Sequence, residues 1–341
     1  MPGLRGSAPR LRRAALGALI SAVVVTAVMG LALGDRLHLP RPGGRSPAYV
    51  DASVVPRACD PLPDDVRQRA VCRGVWVHAA RRVFVPQGLA FGPGGVAFVS
   101  GYHRGRPGTR LCEVLVVDPR TGRTLHRVRE LRGSVGTAAP IGCRHGGGLA
   151  RTSDGLWIAH SRHLWLVDED ALLDGRSVVL RGWRIQAPVR GSALVSRGAS
   201  VGLVGWSARR PMHVDWLRVA DLLAPGVTDV RREAAPASAS PYAVRKAPFL
   251  VQGATWGPGG LWFASSTTYC GVLHEPGGRT LAFIPGAEGI AFRGRRLWAV
   301  SESGSGSYQH QGGRPKVPTL VSLVPRRLDP RTRPGCSWLS G

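Results

Sequence analysis

Lysine is almost missing from this chain. Of 46 basic residues only Lys246 and Lys316 are lysine and the rest are arginine, while asparagine is absent altogether. No two cysteines form a CxxC pair, which argues against zinc-ribbon and dithiol redox sites. There is no GxSxG nucleophile elbow and no phosphate-cradling loop. His145-Gly146-Gly147-Gly148 resembles an oxyanion-loop string but leads into a strand, and Ser301-Glu302-Ser303 has no His and Asp relay beside it. Acidic residues are also scarce, 21 in all, which leaves a net charge of +25. That charge does not spell nucleic acid. The arginines are scattered as pairs such as Arg81-Arg82, Arg209-Arg210 and Arg295-Arg296, neither gathered on one helix nor interleaved with aromatics. They sit in an Ala-, Gly- and Pro-rich composition of the kind GC-rich coding produces. Solvated arginine is the expected role, with weak attraction to acidic envelope polymers or anionic lipid and no specific nucleic-acid partner.

What is present begins at the N-terminus. Arg5, Arg10, Arg12 and Arg13 precede an uncharged run from Ala14 to Gly34, long enough to cross a bilayer as a helix. Ala32-Leu33-Gly34 also fits a cleavage site, so residues 1–36 are read as a membrane anchor or as a removable signal peptide. Either places the remainder outside the cytoplasm, tethered by residues 14–34 or secreted after cleavage near Gly34. Residues 37–73 form a Pro/Gly/Arg-rich tether, and residues 74–341 the folded domain. Six cysteines in an exported chain imply three disulfides.

The domain repeats itself. Copies start at Gln87-Gly88, His145-Gly146, Gly191-Ser192, Gln252-Gly253 and Glu288-Gly289, at spacings of about 36 to 61 residues. Each opens with a short apolar strand such as GLAF or GATW. A tight turn rich in Gly or Asp-Gly follows, then a second strand such as VAFVS or LWFAS. Three second strands carry Leu-Trp at the same place: Leu156-Trp157, Leu261-Trp262 and Leu297-Trp298. Those aromatics are expected to fill the core between repeats. Gly74 to Phe84 is expected to supply an outer strand that closes a ring, and Ala237 to Lys246 to be a surface loop. Four-stranded units of this size predict an all-β fold, a β-propeller with five blades by repeat count; the long third unit leaves room for a sixth.

The phrases AEGIAF and GPGGLWF resemble blades of the gluconolactonase and senescence-marker lactonase superfamily. They are also similar to NHL-repeat propellers, to virginiamycin B lyase and to secreted actinobacterial propellers. The likeness spans roughly residues 74 to 328 and implies a propeller whose channel can hold a divalent metal in a Glu, Asn and Asp set. Glu288 matches the Glu in kind. The absence of asparagine breaks the rest of the set and puts lactonase chemistry in doubt.

In a propeller the loop entering each inner strand and the loop after the second strand open on one face. That places Gln87, His145, Gln252 and Glu288 around the channel, with Tyr102, His160, Trp206, Tyr269 and Glu302 beside them. The loops Tyr102 to Pro107 and Tyr308 to Pro315 add His103, Tyr308 and His310. His145 and Glu288 are the candidate metal ligands, or else are structural and hydrogen-bonded to neighbouring strand ends. Cys112 and Cys143 fall on this same face and are expected to pair, with Cys59–Cys72 as a local staple and Cys270–Cys336 by elimination. Three readings follow. The first is a monomeric extracytoplasmic propeller binding a small ligand, protein or polymer on the loop-rich face. The second is a metal-dependent, lactonase-like hydrolase or a lyase at the channel. The third is an interaction module with no pocket.

Overall fold

The computed structural model describes residues 70–81, 83–103, 111–268, 270–309, 317–331 and 336. All of them belong to the unit Val50–Gly341, one of two into which the chain divides. The expected N-terminal helix, the tether and Cys59 of the pair Cys59–Cys72 lie outside the described residues. Among the described residues no helix is long and apolar enough to cross a membrane.

Strand β1 (Val71–Val75) comes first. It is followed by a meander of β2 (Phe84–Phe91), β3 (Ala97–His103), β4 (Cys112–Val117) and β5 (Thr124–Arg129). A small ribbon, β6 (Arg132–Gly133) with β7 (Ile141–Gly142), leads to a second meander. This comprises β8 (Gly148–Thr152), β9 (Gly155–His160), β10 (His163–Val167) and β11 (Val179–Ile185). The third sheet takes β12 (Ala193–Arg197), β13 (Ser200–Val204), β14 (Met212–Arg218) and β17 (Ala243–Ala247), passing over β15 (Asp229–Val230) and β16 (Ser238–Ala239). The fourth is β18 (Val251–Gly257), β19 (Gly260–Thr267), β20 (Cys270–His274) and β21 (Thr280–Phe283). The fifth, β22 (Ala287–Arg293), β23 (Arg296–Ser301) and β24 (Leu320–Leu323), is completed by β1, which pairs antiparallel with β24.

The inner strands pack in a ring: β2 on β8, β8 on β12, β12 on β18, β18 on β22, and β22 back on β2. This is an all-β propeller arrangement, and it differs from the expectation in three ways. Five four-stranded sheets were expected and four are seen, because the second sheet has six strands. Its extra strands, β15 and β16, run parallel to β11 and come from the long third repeat. The surplus residues of that repeat therefore widen a neighbouring sheet and build no sixth unit. The stretch from Ala237 to Lys246 is not a surface loop, since it contains β16 and most of β17, the outer strand of the third sheet. The closing strand lies at Val71–Val75, earlier than the centre of the expected segment, which instead holds a 3-10 turn at His78–Arg81. After β14 the chain forms a five-residue helix, Val219–Leu223.

Alternation along β9, β19 and β23 explains the Leu-Trp signature, because neighbouring strand residues point to opposite sheet faces. Leu156 joins the core between the first and second sheets and Trp157 the core between the second and third. Leu297 and Trp298 divide in the same way between the fourth-to-fifth and fifth-to-first interfaces. Each pair thus stitches its sheet to both neighbours. At the axis the inner strands come close enough to demand glycine: a Cβ on Gly253 would run into the Glu288 carbonyl, and one on Gly289 would meet the Leu89 amide nitrogen at 2.5 Å. The void that remains there is about 10 Å³, at the lower limit for a single water. The channel is closed to a ligand at its waist.

Candidate functional site

Above that waist, the strand entrances bring acidic, amide and phenol groups together. Glu288, second residue of β22, accepts a hydrogen bond from Gln252 Nε2 at 3.0 Å. Its side chain is also hydrogen-bonded to that of Glu302, which stands just past the end of β23. Glu302 in turn accepts from Gln87 Nε2 at 3.1 Å. Both carboxyls are buried, at 4% and 6% exposure. Burial first, then the charge of Glu302, pushes Glu288 well above the ordinary carboxylate range. Burial also lifts Glu302, to about 7, against the opposing hydrogen bonds from Tyr308, Gln87 and Glu288. Two buried carboxyls in contact cannot readily both ionise, so each raises the other's hold on its proton.

Tyr308 extends the network. It lies in the short helix Gly306–Gln309 and hydrogen-bonds both Glu302 and Tyr102. Burial, followed by the nearby Glu302 charge, raises its phenol far above the usual range, so it stays a neutral hydroxyl. Tyr102, at the end of β3, meets His145 edge-to-face with ring centroids 4.4 Å apart, and His145 faces His160 at 6.1 Å. His145 has φ +65° and Gly146 φ +63°, a left-handed pair that turns the chain into β8. The Cys112–Cys143 disulfide packs beneath this turn, with the Cys112 Cβ about 3.1 Å from where a Gly146 Cβ would stand. Burial holds His160 down to about 4, so it is neutral at pH 7.

The segment Ser303 to Ser307 is buried throughout, and its serines and glycines are small enough to allow this. Gly304 sits against Trp76 and the Val317 carbonyl, where a side chain would clash. Ser303 donates to the Thr268 carbonyl at 2.6 Å. Ser305 Oγ is buried and has no hydrogen-bond partner among the described residues.

Of the residues expected on this face, Gln87, Gln252, Glu288, Glu302, Tyr308, Tyr102, His145 and His160 form one continuous network. Tyr269 and His310 lie outside the described residues. Trp206 is on the surface, 43% exposed, with no described link to the network. His103 turns aside to Glu113, which also accepts from Arg127. Glu288 is the single acid among the four strand entrances, and its direct acidic partner is Glu302 at the end of the adjacent strand. The repeat alignment held the signal, since Glu302 follows the second strand of the same copy.

The donor set does not suit the divalent metal that the family resemblance implies. The amides donate to the carboxyls, the carboxyls bond one another, and His145 packs on Tyr102 and His160. Among the described residues no group of three or more His, Cys, Asp or Glu side chains could hold a metal.

Cys270 is joined to Cys336, as Cys112 is to Cys143. No protein-family model matches the chain, and no curated protein does. Among solved structures, BamB from Moraxella catarrhalis is similar at 13% identity with a TM-score of 0.29. The match covers 70% of this chain and 57% of that one, so this chain spans less than two thirds of its length.

Proposed function

We propose that this protein is an extracytoplasmic propeller that binds a small ligand on the strand-entrance face, through a cationic or hydrogen-bond-donating group that meets Glu288 and Glu302. The observation that carries the reading is the buried acid pair itself. Such a pair raises the energy of the empty protein at neutral pH, and a rigid cation or donor would relieve it by replacing a carboxyl proton. The extracytoplasmic placement rests on the arginine-flanked run at residues 14–34 and on the disulfides.

A second reading, hydrolase or lyase chemistry, draws on the same pair. Carboxyls whose pKa values burial raises can serve as proton donor and acceptor near neutral pH.

Binding coupled to proton release is the test. Thermal melts with choline, guanidinium or arginine should show stabilisation that grows from pH 5 to pH 8. Mn²⁺ and Zn²⁺, with and without chelator, form the metal arm. Glu288→Gln should remove the ligand-induced shift while leaving the ligand-free melting temperature unchanged or higher. Equal shifts in the wild type and Glu288→Gln, or none in either, would refute the reading.

A further inference from the structure

At the far ends of β18 and β22, away from the acid pair, a second cavity of about 450 Å³ opens between the fourth and fifth sheets. This is the size of an ordinary small-molecule site. Its floor is apolar. Trp262 is buried and meets Phe292 edge-to-face at 5.5 Å, with Pro258, Val324 and Pro325 around them. The indole N–H of Trp262 is already satisfied by the Pro258 carbonyl at 2.9 Å, so the floor asks for no polar partner.

The rim is cationic. Arg279 is paired with Glu275. Arg295, Arg296 and Arg326 also line the cavity, all exposed, and have neither an ion-pair nor a side-chain hydrogen-bond partner among the described residues. Two arginines near the neighbouring turns at this end of the ring are engaged. Arg293 donates to the Gly95 carbonyl at 3.0 Å and lies over Phe91, and Arg197 stacks over Trp256 at 4.3 Å. Three uncommitted guanidiniums around one apolar hollow repel each other, and each presents a planar fork of donors to an oxyanion.

We propose that this cavity is a binding site for a small amphipathic anion, a carboxylate, sulfonate or phosphate carried on an apolar body. The body lies on Trp262 and Phe292, and the head group is held by Arg295, Arg296 and Arg326. The site is separate from the acid pair, whose charge would favour the opposite kind of ligand.

Isothermal titration with octanoate, octanol and octylammonium tests the assignment. Octanoate should bind one per chain, at least tenfold tighter than octanol, and weaken as salt rises; octylammonium should not bind. Arg295→Gln/Arg296→Gln changes exposed residues and should weaken octanoate at least tenfold while leaving octanol unaltered. Arg209→Gln/Arg210→Gln, an equal loss of charge at another exposed pair, should change neither. Octanol binding as tightly as octanoate, or equal losses in the two double variants, would overturn the site. Sedimentation with phosphatidylglycerol vesicles separates the sources of such an anion. Pocket-dependent vesicle binding, lost in Arg295→Gln/Arg296→Gln, would assign the head group to a lipid, and its absence to a free molecule.

Discussion

Glu288 and Glu302 hold protons more tightly in the folded chain than in the unfolded one, Glu302 at about 7 against an ordinary 4.5. Between those values the unfolded chain binds fewer protons, so the free energy of unfolding falls as pH rises. The contribution of Glu302 is complete below about pH 4.5 and disappears as pH passes 7. His160 and His274 act in the other direction. Burial lowers both from 6.5 to about 4, so they remove stability as pH falls through that window. Melting temperature against pH should therefore form a dome with its top in the mildly acidic range. Glu302→Gln should flatten the alkaline side and leave the acid side in place. An alkaline side of unchanged slope in this variant would show that the acid pair does not titrate across that range.

The Leu-Trp strands show why the elements were readable. Period-two alternation, a Gly or Asp-Gly turn and a tryptophan at one register together specify a strand that is apolar on both faces, which is what a sheet packed between two others requires. Trp157 is fully buried between two sheets and stacks on Trp183 at 5.3 Å, so Trp157→Ala should cost about 3–5 kcal/mol in chemical denaturation. Trp206→Ala, at an exposed position, should stay within about 0.5 kcal/mol; similar losses in the two variants would place the core elsewhere. The elements that escaped the sequence reading lack this grammar. β15 and β16 are two residues each, too short to carry a period, and β17 reads Ala-Val-Arg-Lys-Ala with its three central residues exposed. The site was legible to the same depth. Repeat position placed seven of its side chains on one face, and the enlarged loop after the fifth repeat added Tyr308. Which of them touch depends on how far each side chain reaches across the ring, so neither the Glu288–Glu302 contact nor the Tyr308 bridge could be read from spacing.

At the scale of the whole molecule, the ring is closed by one short strand from the far end of the domain. β1 pairs residue by residue with β24, Val75 opposite Leu320 and Gly74 opposite Val321, and the Val324 amide donates to the Ala70 carbonyl at 2.9 Å. Ala70 and Val71 enter the core between the fourth and fifth sheets, while Val75 enters the one between the fifth and first. Removing the strand thus acts on both neighbours of the fifth sheet and leaves the edge of β24 unpaired. Two fully buried valines alone account for about 3–6 kcal/mol of transfer free energy, a large part of the stability of a typical domain. A chain starting at residue 77 should accordingly unfold at much lower denaturant, lose the single sharp transition and aggregate, compared with one starting at residue 50. The acid pair gives a second readout, because Glu302 lies one residue beyond β23 in the same sheet, so its pH dependence should fade along with the closure. A synthetic peptide of residues 69–77 supplied in trans should restore part of the stability by refilling the edge. A truncated chain as stable and cooperative as the longer one would mean that the remaining sheets hold the ring without this strand.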